Sequence, residues 1–311
     1  MKKILSLAFL MSLLFSSITY AQPPMMGWAS WNANGTDINE TLIKQTANYM
    51  VSLGLKSAGY NYVNIDDGYF GGRDANGNLQ YNSNFPNGMK SVADYIHSKE
   101  LFAGIYSDMG SNTCSMLYGN YGDNGKGVGL YGHESQDLNL FFNTWGYDYI
   151  KVDYCGGQQQ ELDPNVTYTN VSNIIKNLET TLGRDITYNV CRWTFPGTWV
   201  TSVADSWRMH GDITNTYSSI KSIIEDNLYL APYASWGHYN DMDMLQVGRG
   251  MSNDEEKTHF GLWAIMASPL MIGCNLNNVP ITSLTIIKNS EVIAVNQDSL
   301  GLQGELIGRN D

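Results

Sequence analysis

Short apolar runs alternate with helix-length amphipathic segments along nearly the whole chain, and that rhythm constrains the fold most. The strand-like runs are 25–31, 60–66, 101–106, 147–153, 186–190, 206–209, 235–239 and 270–274. Helical periodicity falls between them, near 39–56, 89–99, 134–144, 166–182, 217–227 and 254–266, with Asn39 and Asp254 placed as N-caps. Strand and helix repeated about eight times predict an α/β fold, a closed (β/α)8 TIM barrel with an outer ring of helices. A doubly wound open sheet would want a glycine-rich phosphate turn after the first strand; Trp28-Ala29-Ser30-Trp31-Asn32 is not one. No internal repeat or low-complexity linker interrupts the pattern.

The first 21 residues read as a processing segment. Lys2 and Lys3 precede an apolar stretch from Ile4 to Phe15, and Thr19 and Ala21 are the small residues wanted before a signal-peptidase cut. That stretch is too short for a stable anchor, and no later run has membrane length. The expectation is a signal peptide at 1–21, a barrel at 22–302, and a secreted or periplasmic bacterial address. Removing Lys2 and Lys3 takes the formal charge from −12 to −14. So acidic a surface argues against nucleic acid or an anionic membrane as partner. With 20 Tyr, 8 Trp and only 15% charged residues, the composition suits a neutral carbohydrate, and equally a large aromatic core.

Polar residues gather where the strands stop. Asp66 and Asp67 end the second run, Tyr106 and Asp108 follow the third, and Lys151 and Asp153 end the fourth. Cys191 and Trp193 follow the fifth, Arg208 and Asp212 the sixth, Asp241 and Asp243 the seventh. An Asp after a strand is commonly a turn former, but convergence on the C-terminal rim of a barrel is where such enzymes keep their chemistry. Two rim carboxylates on different strands are the minimal equipment of a glycosidase. Lys151 and Asp153 share a strand face, so the ammonium is expected to keep Asp153 ionised, as a nucleophile requires; a structural ion pair is the plainer alternative. Asp212 is then the proton donor. Arg208 is expected to grip a sugar hydroxyl, leaving Asp212 in a more apolar leaving-group site. Asp66 and Asp67 suit neighbouring hydroxyls, and Trp31 a stacking wall.

Metal chemistry finds little support: only 5 His, and no closely spaced pair among Cys114, Cys155, Cys191 and Cys274. Asp74-Ala75-Asn76-Gly77-Asn78 imitates a calcium loop, but its twelfth position is Phe85 rather than Glu, which predicts a polar turn. No metal or organic cofactor is expected, because two carboxylates and water suffice.

The motifs Gly27-Trp28-Ala29-Ser30-Trp31, Asn64-Ile65-Asp66-Asp67-Gly68-Tyr69, Gly104-Ile105-Tyr106-Ser107-Asp108 and Lys151-Val152-Asp153-Tyr154-Cys155 resemble glycoside hydrolase family 27. So do Trp207-Arg208-Met209-His210-Gly211-Asp212, Asn240-Asp241-Met242-Asp243-Met244-Leu245 and the segment 262–270. The resemblance runs in order from about residue 23 to 302. It implies a (β/α)8 barrel and a retaining exo-glycosidase, with Asp153 as nucleophile and Asp212 as acid/base. Trp31, Asp66, Asp67, Tyr106, Lys151, Arg208 and Met244 match its sugar-contacting positions, and Cys114 and Cys155 its disulfide, which leaves Cys191 and Cys274 as free thiols. It also implies a C-terminal antiparallel β-sandwich that is absent or truncated here, residues 303–311 being its start. Cys191-Arg192-Trp193 looks like the bulky arrangement of α-galactosidases, so an α-galactoside is the expected substrate, with Cys191 and Trp193 lining the pocket beside the sugar's second carbon. The alternatives within the family are β-L-arabinopyranosidase and α-N-acetylgalactosaminidase; outside it, a non-catalytic sugar-binding barrel. Three departures stand out: Arg192 in place of an acid, Met242 in place of a proline (expected to loosen its loop), and a long Gly- and Tyr-rich segment at 118–132.

Overall fold

A computed structural model describes residues 22–118 and 122–308; the expected leader, 1–21, lies outside them. The described residues form ten strands: β1 Met26–Ala29, β2 Tyr62–Asn64, β3 Phe70–Arg73, β4 Leu79–Tyr81, β5 Phe102–Asp108, β6 Tyr149–Asp153, β7 Thr187–Val190, β8 Ser206–Arg208, β9 Tyr239–Asp241 and β10 Leu270–Ile272. Eight form one parallel sheet in the order β10-β1-β2-β5-β6-β7-β8-β9. The ends meet through Leu245, just past β9, which bridges in parallel to Ile272. Its N–H donates to Met271 at 2.7 Å, and its carbonyl accepts from Gly273 at 3.0 Å. The sheet therefore curls into the expected TIM barrel. Parallel strands buried on both faces read as near-continuous apolar runs, which is why seven of the eight lie within a few residues of the expected runs. The seventh differs: Ser235 and His238 close a tight turn, and the strand follows at β9.

The helices between strands start on chemistry visible in the sequence. Asn39 accepts from the Leu42 N–H to cap the helix Glu40–Ser52. Asp163 and Pro164 open Pro164–Leu182, which ends at Gly183 with φ +65°. The helix Asn253–Ile265 is capped by Ser252 rather than Asp254. Ser252 and Glu255 form a reciprocal capping box, and Asp254 sits inside the first turn. The antiparallel pair β3–β4 had no counterpart in the sequence reading. The expected polar turn is its tip, where Asp74 Oδ1 accepts from the N–H groups of Asn76 and Asn78.

His259, on the last of these helices, is fully buried with its ring edge against Trp263. Its Nε2 accepts from the Gln246 N–H at 2.9 Å, while the Trp263 indole N–H holds the Asp243 carbonyl at 2.8 Å. Burial drives the imidazole pKa down to about 3. Unfolded, it titrates near 6.5 and takes up a proton that the folded state refuses, so its contribution to stability is lost as pH falls from about 6.5 toward 3. Asp153 and Asp205, both raised to about 6, work in the opposite sense below that pH. His259→Gln keeps an acceptor but cannot titrate. The stability advantage of the parent over this variant is expected to shrink by about 1 kcal/mol per pH unit below 6.5; urea denaturation at pH 7 and pH 5 reads the difference, and a constant gap contradicts it.

Candidate active site

The C-terminal ends of the barrel strands surround a cavity of about 460 Å³. It is lined by Trp31, Asp66, Asp67, Tyr106, Lys151, Asp153, Trp193, Arg208, Asp212 and Met244, all expected from the sequence. Asn32, Cys114, Ser115, Tyr118, Cys155, Gln158, Gly211 and Asp243 complete the wall. Parallel pairing sets the floor in register: Tyr106 lies beside Lys151, and Asp108 beside Asp153.

Lys151 donates to Asp66 Oδ2 at 3.1 Å and stands 3.6 Å from Asp153 Oδ1. It is therefore shared between two carboxylates rather than dedicated to one. Asp153 is buried, and its Oδ1 has no hydrogen-bond partner among the described residues. Burial raises its pKa to about 6, against the pull of Lys151 and a hydrogen bond from the Cys191 thiol. The nucleophilic role expected of it requires the ionised form, and in that role kcat/KM is expected to fall below pH about 6 with unit slope. An acid limb centred below pH 4.5 in a pH–rate profile would contradict this.

Behind Asp153 the backbone packs closely. The carboxylate of Asp108 accepts from the N–H groups of Gly110 at 2.7 Å, Cys155 at 2.7 Å and Gly156 at 2.9 Å. A Cβ on Gly110 would fall 2.0 Å from the Gly156 carbonyl carbon, so this approach requires glycine. Asp108 is thus a structural clamp rather than a sugar ligand. The expected disulfide Cys114–Cys155 is present and puts Cys114 Sγ 3.2 Å from Asp153 Oδ2. Asp108, Cys114 and Cys155 lie together, but sulfurs bonded to each other offer no thiolate to a metal. Cys191 and Cys274 are buried free thiols.

Arg208 lines the cavity, with its Nε without a hydrogen-bond partner among the described residues, and is also ion-paired. Its guanidinium bonds Asp212 Oδ1 at 3.1 Å and Asp243 Oδ2 at 3.0 Å. Asp212 therefore sits in an ion pair rather than an apolar site, with its side chain 62% exposed at the mouth. Desolvation raises its pKa, but Arg208, Lys151 and a hydrogen bond from Trp193 outweigh that and hold it below the ordinary range. Asp243 also accepts from the Ile213 N–H at 2.8 Å and the Met244 N–H at 2.7 Å, tying the loop after β8 to the loop after β9. Sequence reasoning placed Asp243 on the rim but did not assign it to the site. Its φ of +76° and that of Trp193, +60°, are left-handed values for side chains that disfavour them, and such strain concentrates at functional sites.

The three departures resolve differently. Cys191 does not line the cavity; it is fully buried, with Arg208 Nη1 at 3.9 Å from its sulfur, so of that expected pair Trp193 lines the cavity. Arg192 stays out of the cavity, its guanidinium stacked 5.0 Å from the Tyr154 ring. Met242 is buried, and its N–H donates to Ser268 Oγ at 3.0 Å, a bond proline cannot make, so the loop is tied rather than loosened. In the segment 118–132, Arg73 donates to the carbonyls of Gly127 and Gly129 at 2.9 Å and pairs with the buried Asp137.

Residues 23–298 match the family described as alpha galactosidase A, a melibiase family. The chain belongs to that family, glycoside hydrolase family 27. It is 41% identical over 297 residues to alpha-galactosidase A of Cellvibrio japonicus, covering 91% of this chain and 69% of that one. With alpha-galactosidase 2 of Arabidopsis thaliana it shares 43% identity over 292 residues, covering 92% and 70%. The solved alpha-galactosidase of Saccharomyces cerevisiae with raffinose superposes with a TM-score of 0.81 at 34% identity, covering 90% of this chain and 65% of that chain. The chain thus spans about two thirds of the length of these relatives. No helix among the described residues is long and apolar enough to cross a membrane.

Proposed function

We propose that this chain hydrolyses terminal α-linked D-galactose with retention of configuration. The observation that carries the reading is that Asp153 and Asp212 line one cavity, over a floor of buried Asp66 and Asp67 and half-buried Lys151, in a chain of this family. Galactose sits on the floor, its hydroxyls bonded by Asp66, Asp67 and Lys151 and one face against Trp31. Asp153 attacks the anomeric carbon as Asp212 gives its proton to the glycosidic oxygen; the C–O bond to the leaving group breaks and a galactosyl ester on Asp153 forms. Asp212, now a base, takes a proton from water. The water oxygen bonds to the anomeric carbon, and the ester C–O bond breaks to free Asp153.

Arg208 and Lys151 favour the ionised form of Asp212, the wrong state for the first step. Arg208 has a second, buried carboxylate in Asp243. An incoming sugar that parts Asp212 from Arg208 therefore leaves the guanidinium neutralised, while Asp212 loses its main cation and regains a proton. Trp193 fills the space beside the second carbon, which accommodates a hydroxyl and rejects an acetamido group. The leader expected at 1–21 from the sequence supports export to the periplasm or the exterior.

Hydrolysis of the p-nitrophenyl α-D-galactoside, α-N-acetylgalactosaminide and β-L-arabinopyranoside tests the assignment. Clear preference for the first is expected. Preference for the arabinoside moves the substrate to the alternative, and folded protein silent on all three leaves a sugar-binding barrel.

A further inference from the structure

We propose that Tyr118 and Gln158 form a leaving-group subsite for a second, neutral sugar ring. The proposal rests on the α-galactosidase reading above. The cavity is graded in exposure: Asp66, Asp67, Tyr106 and Asp153 are buried at the bottom, whereas Asp212 is 62% and Tyr118 72% exposed at the mouth. A proton donor at the mouth places the bond to be cleaved there and the leaving group beyond it. At about 460 Å³ the cavity lies in the range that holds ligands larger than one hexose.

The two side chains are placed by the disulfide. Cys114 and Tyr118 are first and last on the helix Cys114–Tyr118, four residues apart and so on one face; Cys155 and Gln158, three apart, share a face of Cys155–Gln159. The Cys114–Cys155 bond joins the two helices at their first residues. All four residues line the cavity. The result is a disulfide-linked pair of short helices that places an exposed phenol ring and a carboxamide on the cavity wall. A sugar ring stacks its C–H face on such an aromatic, and a carboxamide both donates to and accepts from ring hydroxyls. Neither group is charged, which selects a neutral ring. The Tyr118 ring is too exposed to serve the core.

α-Galactosyl fluoride carries no second ring, whereas raffinose carries two sugars beyond its galactose. In Tyr118→Ala, kcat/KM on raffinose is expected to fall about tenfold, with the fluoride within about twofold of the parent. Gln158→Ala should show the same split, and Tyr118→Phe should keep raffinose turnover. Equal loss on both substrates, or unchanged raffinose kinetics in a parent-like background, overturns the subsite. A parent enzyme inactive on the fluoride overturns the α-galactosidase reading itself, and the subsite with it.

Discussion

Asp153→Ala is expected to lose at least about ten-thousandfold in kcat on every α-galactoside, activated or not, because no other group on the cavity floor can form the ester. Lys151 and Asp66 already hold each other, and Asp67 Oδ2 accepts from the Ser115 N–H, so neither acid substitutes. Shortening the side chain leaves room for a small anion above the disulfide. Added azide should therefore restore turnover of an activated aryl galactoside and yield β-galactosyl azide, since it attacks from the face that Asp153 occupied. An α-azide product would assign the lost group to the acid/base role instead. Full activity without azide would remove Asp153 from the chemistry altogether. The fold should survive, because the clamp behind this residue runs through Asp108 to backbone N–H groups and does not use the Asp153 side chain.

Asp212→Ala should divide substrates by leaving group. General-acid assistance is worth about 10²–10⁴ where the departing oxygen is basic, so raffinose should lose about a thousandfold. An aryl galactoside, whose phenolate leaves unaided, should keep a much larger share of its first step. Comparable loss on both would contradict the division of labour between the two acids. The variant also frees Arg208 from one of its carboxylates while Asp243 keeps the other contact. Any general disorder of the loop after β8 should therefore be small, and thermal denaturation checks that.

The barrel was legible because its strands obey a simple rule: each apolar run ends on a polar residue at one rim. Asp66 and Asp153 follow directly from that rule, as do Lys151 by strand alternation and the helix Tyr217–Asn227 by its period. What escaped was partner choice. Asp108 and Asp153 are equivalent in sequence terms, each ending a strand, yet one turns into backbone donors and the other into the cavity. Arg208 lies four residues before Asp212, which fits a hydroxyl grip as well as an ion pair. Only the position of Asp243, brought across from the next strand, shows that the guanidinium is shared between two carboxylates. Cys191 sits one residue past its strand and is expected to face the cavity, but it is buried against Arg208 and Asp153 instead. The β3–β4 pair was missed because Phe70-Gly71-Gly72-Arg73 lacks the residues that mark strands.

The most direct test of the two-carboxylate account is the anomer released first. Proton NMR of an α-galactoside during the initial seconds to minutes of hydrolysis should show α-galactose appearing before mutarotation fills in the β form. β-Galactose first would mean direct attack by water, and Asp153 would then not be the group that bonds to the sugar.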